Sequence, residues 1–182
     1  MSLYRLSVLS FHRSNMKVKI PIITNALCVD ASCTGNPWVM EYRAVDLKSR
    51  KEVFRSPIYS MGTNNIGEFL AIYEAIRYIE TLNKKTKKLK ASLIKEVASE
   101  GEPEDLKRQN RYECIFSDSE TAIAWMRSKK IKTTLTYTEE TKELLTKLQE
   151  AVTRVKTHDF TIPIRKRETE IRGEIPADFD RK

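Results

Sequence analysis

Between residues 66 and 82 apolar side chains return every three or four positions, at Phe69, Ile72, Tyr73, Ile76 and Ile79. That spacing predicts a helix with one buried face, and Asn64 or Asn65 stands where an N-cap belongs. One residue breaks the apolar pattern. Glu68 falls on the side of Ile72, Ala75 and Ile79, so the helix would carry a carboxylate into the core. Two readings stay open. Glu68 either closes a capping box on the backbone N–H of Asn65, or it faces other acids and holds a metal ion with them.

Upstream, residues 22–31 are apolar and β-branched around Asn25 and end in Asp30, just before the turn-forming Gly35-Asn36-Pro37. This predicts a buried strand with an acid at its end. Residues 39–47 alternate, Val39, Glu41, Arg43 and Val45 against Met40, Tyr42 and Ala44, and Lys48-Ser49-Arg50 is expected to turn them into a second run, Glu52 to Tyr59. Met61 to Asn65 then reads as the loop into the helix.

Beyond it, residues 84–111 form a charged insertion, opened by Lys84, Lys85, Lys87, Lys88 and Lys90, which either prolongs the helix or makes a solvated arm. Residues 112–116 predict a short strand reaching Ser117-Asp118. A helix over 119–127 follows, with Ser117-x-x-Glu120 as its capping box. Leu144, Leu145, Leu148, Val152 and Val155 mark a long amphipathic helix, 160–164 a last strand, and 173–179 a turn into a short helix that Pro176 can start. The order predicts an α/β domain whose mixed sheet is an antiparallel meander extended by parallel strands.

Composition narrows the setting. With 182 residues, 40% of them hydrophobic, the chain can bury the core of one domain, here placed at 22–182. Residues 1–21 read as a partly disordered leader, because basic residues flank a short apolar stretch that lacks a cleavage site; translation starting at Met16 is the other reading. The 33 basic against 25 acidic side chains give +8, which suits a polyanionic partner such as nucleic acid. Cys28, Cys33 and Cys114 are odd in number and form no C-x-x-C pair, which argues against a disulfide framework or a zinc site and for a reducing, cytoplasmic setting. No apolar run approaches the roughly 20 residues of a membrane span, so no membrane partner is expected.

Asp30 and Asp118 each fall where a strand gives out, and Glu68 in the first turn of a helix, while functional residues of open α/β sheets gather at strand carboxyl ends. Singly, Asp30 suits a turn and Asp118 a helix cap. In combination they sit within larger blocks: Asp30-Ala-Ser-Cys-Thr-Gly-Asn-Pro37, Gly62-Thr-Asn-Asn-Ile-Gly-Glu-Phe-Leu-Ala71, Ser117-Asp-Ser-Glu120 and Gly173-Glu-Ile-Pro-Ala-Asp178. In content and order these resemble the four blocks of a type 1 ribonuclease H. The resemblance is closest to the bacterial branch that ends in Gly-Glu-Ile-x-Ala-Asp and lacks a basic protrusion, and it spans about residues 24–182.

The resemblance implies a ribonuclease H-like fold, with a five-stranded mixed sheet flanked by helices, and endonucleolytic cutting of the RNA strand of an RNA/DNA hybrid by a monomer. By position, Asp30, Glu68, Asp118 and Asp178 would be metal ligands, and Glu174 a further acid assisting metal exchange or product release. Oxygen-only ligands suit Mg²⁺ or Mn²⁺, and two ions about 4 Å apart would activate a water and stabilise the leaving 3′ oxygen, leaving a 5′ phosphate. Gly35, Asn36, Asn64, Asn65 and Glu120 match positions that touch RNA 2′-hydroxyls, and Thr63, Asn65, Thr133 and Thr134 match a pocket for a DNA phosphate.

The chain also departs from the family pattern. Trp38 replaces a glycine and is expected to pack, Glu120 replaces a common Gln, Arg167 and Arg172 replace tryptophans, and Asp180 replaces a glycine. A different-class alternative is a catalytically weak hybrid-binding module of the same fold. A further one is a protein-interaction domain that uses the 84–111 insertion.

Overall fold

The computed structural model describes residues 23–96, 112–169 and 173–179. Among them β1 (Ala26–Cys33), β2 (Trp38–Asp46), β3 (Glu52–Arg55), β4 (Tyr59–Gly62), α1 (Asn64–Glu96), β5 (Cys114–Ser117), α2 (Glu120–Ser128), α3 (Lys142–Thr157) and β6 (Ile164–Lys166) follow in chain order. The sheet runs β3-β2-β1-β5-β6, and β4 also lies on β2. Pairing is antiparallel among β1, β2, β3 and β4 and parallel from β1 to β5 to β6. This is the meander extended by parallel strands that the residue pattern predicts.

The return run of the hairpin differs from expectation. Instead of one strand from Glu52 to Tyr59, the structure has β3 and β4 end to end along β2, β3 against Arg43–Val45 and β4 against Trp38–Met40, interrupted at Ser56-Pro57-Ile58. Pro57 has no N–H to give the ladder. At the break Ser56 keeps the Tyr42 backbone satisfied, since its N–H donates to the Tyr42 carbonyl at 2.8 Å and its hydroxyl accepts from the Tyr42 N–H at 2.9 Å. β4 then takes in Met61 and Gly62, which the pattern places in a loop.

Alternation along β2 sorts its side chains onto two faces. Met40, Tyr42 and Ala44 join Leu27, Val29 and Ala31 of β1 in the main core, under Phe69, Ile72 and Ile76 of α1. The opposite face has a smaller core of Ala26, Cys28, Val45, Cys114 and Phe116, closed by Ile175 and Ala177 of the C-terminal segment. The segment that carries Glu174 and Asp178 is thus seated by its own apolar residues.

Helix ends also depart from expectation. Thr63, rather than Asn64 or Asn65, precedes α1: its carbonyl accepts from the Gly67 N–H at 3.1 Å and its hydroxyl from the Ile66 N–H at 3.4 Å. Glu68 therefore lies too far along the helix for a capping box, and its side chain is buried. α1 continues to Glu96, about 50 Å in all, so the lysine run through Lys90 prolongs the helix. The rest of the insertion, and the leader at 1–21, lie outside the described residues.

Ser119 caps α2 by accepting from the Ala122 N–H at 3.2 Å, so the capping box expected from Ser117 does not form; the Ser117 hydroxyl accepts from the Ser119 N–H instead. The last strand is shifted to Ile164–Lys166. Residues 173–179 contain one turn, closed by the Asp178 N–H on the Ile175 carbonyl at 2.8 Å, in place of the short helix. Trp38, expected to pack, is 58% exposed.

Candidate metal centre and nucleic-acid cleft

Pairing between β1 and β5 runs from Ala26–Cys114 to Cys28–Phe116. β1 continues to Cys33 on its antiparallel partner β2, whereas β5 ends at Ser117. Beyond the last shared pair the two central strands part at their carboxyl ends, and Asp30 and Asp118 each lie two residues past it. Glu68 enters the same place from the start of α1.

Gly67 makes that approach close. A Cβ on it would stand 2.7 Å from the Ala31 Cβ and 2.7 Å from the Met40 Sδ, so the hydrogen alone lets the first turns of α1 lie on β1 and β2.

Ligand oxygens of Asp30, Glu68 and Asp118 lie within 4.8 Å of one another. Asp30 and Glu68 are buried and Asp118 opens toward solvent. Burial pushes the Asp30 carboxyl up to about 7; a hydrogen bond with Glu68 works against the rise, and the charges of Asp118 and Asp178 add to it. Burial also drives Glu68 well above the usual carboxylate range, with Asp30 and Asp118 adding their charge. Asp118 is raised by burial and by Asp178, and Lys166 opposes the rise. Crowded, desolvated carboxylates of this kind favour protons or a cation over free ionisation.

The Oε2 atom of Glu68 supplies a further test of fit. It is buried and has no hydrogen-bond partner among the described residues. An acceptor left so is costly unless something positive meets it. Donors in this cluster are hard oxygens without His or Cys, which suits Mg²⁺ or Mn²⁺.

A pH dependence follows from the Asp30 shift. The folded chain retains a proton on Asp30 that the unfolded chain loses above the ordinary value of 3.8. Between about pH 4 and about pH 7 the folded state binds more protons, so stability falls as pH rises through that window. In chelator, denaturant unfolding is expected to show about 2–4 kcal/mol less stability at pH 8 than at pH 5, and Mg²⁺ or Mn²⁺ to recover most of it at pH 8. Equal stability at the two pH values would contradict a desolvated cluster.

Asp178 is outside the group of oxygens within 4.8 Å, yet its charge acts on both Asp30 and Asp118. Glu174 is exposed, just before the buried Ile175. Of the other positions singled out in the sequence, Asn36, Thr63, Asn65, Thr133 and Thr134 line one cleft of about 390 Å³. Lys132 and Trp125 line it too. Lys132 was legible as a basic residue beside the threonines, while Trp125 carries no signal in the sequence that separates it from core.

Gly35 and Asn64 are exposed on the neighbouring β1–β2 loop and first turn of α1. Glu120 lies apart, ion-paired with Lys166 of β6, on a cleft of about 620 Å³ shared with Ile123 and Arg127. Lys166 holds the Glu120 carboxyl below its ordinary range, so the negative charge that this position adds is neutralised locally.

No family model matches the chain. Among solved structures it is similar to LC11-RNase H1, isolated from compost by a metagenomic approach, at 16% identity over 84% of this chain and 91% of that one, with a TM-score of 0.42. It is also similar to LC11-RNase H1 in complex with an RNA/DNA hybrid, at 17% identity over 81% and 88% of the two chains, with a TM-score of 0.34. RNase H1 from the halophilic archaeon Halobacterium salinarum shares 14% identity over 81% and 89%, with a TM-score of 0.37.

Proposed function

We propose that the protein is a divalent-cation-dependent endonuclease that hydrolyses the RNA strand of RNA/DNA hybrids, leaving 5′-phosphate and 3′-hydroxyl ends. The observation that carries this reading is the Asp30–Glu68–Asp118 cluster, two of its acids buried, at the parted ends of β1 and β5, with a Glu68 oxygen that nothing among the described residues satisfies. The four ordered sequence blocks supply the rest. They put Asp178 with the three acids as a fourth ligand and Glu174 at the rim as the acid that assists exchange.

Mg²⁺, two ions per site, or Mn²⁺ would be held by Asp30, Glu68, Asp118 and Asp178, and supplies Lewis-acid activation of water and neutralisation of the leaving 3′ oxygen. The side chains do the placing. Asp30 and Glu68 are fixed by strand and helix backbones, so the cluster's geometry exists before substrate arrives. Asp118, the more open member, faces the solvent side from which a phosphodiester approaches.

The cleft of Thr63, Asn65, Thr133 and Thr134 offers hydroxyls and amides, with Lys132 beside them, to a phosphate of the DNA strand. Gly35, Asn36, Asn64, Asn65 and Glu120 are the positions assigned to the RNA strand's 2′-hydroxyls. Contacts to backbone and sugar read no bases, so cleavage is expected to be nearly independent of sequence. The protein acts as a monomer in the cytoplasm in this reading.

The test is cleavage of an end-labelled RNA/DNA hybrid beside RNA duplex, DNA duplex and single-stranded RNA, with Mg²⁺, with Mn²⁺ and with EDTA. Cutting confined to the hybrid's RNA, and reduced about a thousand-fold in Asp118→Asn, is expected. Salt-sensitive hybrid binding without any cutting would replace the enzyme by a binding module.

A further inference from the structure

We infer that Arg43 is a positioning residue for the catalytic centre: from β2 it holds the C-terminal segment so that Asp178 stands beside Asp30 and Asp118. This rests on the nuclease reading above. Nothing in the sequence blocks singles out Arg43, since it is simply a polar position of an alternating strand.

The geometry begins with register. Arg43 lies directly opposite Asp30 in the antiparallel β1–β2 pair, so both side chains leave the same face of the sheet. That face is the one covered by Ile175 and Ala177. From it the Arg43 Nε–H donates to the Ala177 carbonyl at 2.8 Å and Nη2 donates to the Asp178 carbonyl. Two donors of one rigid guanidinium thus grip two successive carbonyls, the second belonging to the acid itself. The next residue closes the grip: the Phe179 ring lies 4.5 Å from the Arg43 guanidinium carbon and 5.2 Å from that of Arg55.

Arg43 is itself held. Arg55 of β3 is its direct cross-strand neighbour, a like-charge pair that would repel. Glu52 lies between them, 2.7 Å from Arg55 and 3.5 Å from Arg43, and Glu41 takes the Arg55 Nη1 at 2.7 Å. The acids fix both guanidinium groups against the sheet. A second arginine anchors the other end of the segment: the buried Arg167 donates Nε–H to the Gly173 carbonyl at 3.2 Å, where Gly173 turns the chain with a φ of +69°. Arg43 nonetheless supplies the side-chain contact to the Asp178 backbone.

Arg43 touches backbone, so its loss is expected to appear in cation dependence more than in substrate binding. In Arg43→Ala the Mg²⁺ concentration for half-maximal hybrid cleavage, and the Mn²⁺ dissociation constant by calorimetry, should rise about 10- to 100-fold. The KM for hybrid at saturating Mg²⁺ should stay within about two-fold. Hydrogen exchange should show protection lost at residues 175–178 and kept in β1. Arg43→Lys keeps the charge but cannot span both carbonyls, and should recover part of the cation affinity. Phe179→Leu removes the stacking partner with β2 intact, and should loosen residues 175–178 and weaken the cation in the same sense.

Wild-type cation affinity in folded Arg43→Ala would overturn the proposal and leave the nuclease reading standing. If Arg43→Ala does not fold, unchanged cation affinity in both Arg43→Lys and Phe179→Leu would overturn it equally. A wild-type protein that binds no Mn²⁺ would overturn both together.

Discussion

Glu68→Gln is expected to make the cation-free protein more stable, to abolish its stabilisation by Mg²⁺, and to cut hybrid cleavage by about a thousand-fold or more. The three effects have one origin. Glu68 is 3% exposed, lies within 4.8 Å of two other carboxylates, and leaves Oε2 without a partner among the described residues. Without a cation, neutral pH forces the folded protein either to hold a proton there or to bury a charge beside Asp30. Glutamine keeps the side chain's shape, carries no charge and can donate to Asp30.

In EDTA at pH 8 the gain should be about 1–3 kcal/mol, read from denaturant unfolding. In Mg²⁺ the order should reverse, because the wild type gains binding free energy that the variant does not. A variant less stable than wild type in EDTA and still stabilised by Mg²⁺ would show that Glu68 is a structural acid.

Gly67→Ala should be the most damaging single methyl in the fold's centre. Alanine favours helix over glycine by about 1 kcal/mol, so on helix propensity alone the change would stabilise. Contact decides otherwise. The added Cβ meets the Ala31 Cβ at 2.7 Å, and that atom moves only with the β1 backbone. The start of α1 must lift from the sheet, and Glu68, the next residue, leaves Asp30 with it. A net loss of about 2–4 kcal/mol is expected by denaturant unfolding, and cleavage should fall further than stability accounts for, about 100-fold at saturating hybrid. Unchanged activity in a stable Gly67→Ala protein would mean that the helix does not set the acid's position.

What could be read in the chain follows from which interactions are local. The stripe from Phe69 to Ile79 and the alternation of Met40, Tyr42 and Ala44 reflect burial against a core, and burial leaves a periodic trace. Asp30, Glu68 and Asp118 were legible because acids stood at element ends, and the structure brings those three together. The caps of α1 and α2 are not legible in the same way, since several hydroxyl and amide residues stand in a row and only backbone geometry chooses Thr63 and Ser119. The Arg43 contact to Ala177 spans 134 positions and depends on strand register, so no local pattern could announce it. Trp38 had no stripe to belong to, and it is exposed.

The break at Ser56-Pro57-Ile58 also bears on how the protein keeps to itself. A sheet rim is a row of open donors and acceptors, a template on which a second chain can add a strand. Here one rim is two four-residue ladders parted by a proline, the first flanked by Glu52 and Arg55. The other rim, β6, is three residues long and exposes Arg165 and Lys166. Short length, proline and charge each lower the tendency of such rims to zip into cross-β stacks. The interruption of the hairpin is thus a safeguard against self-templating.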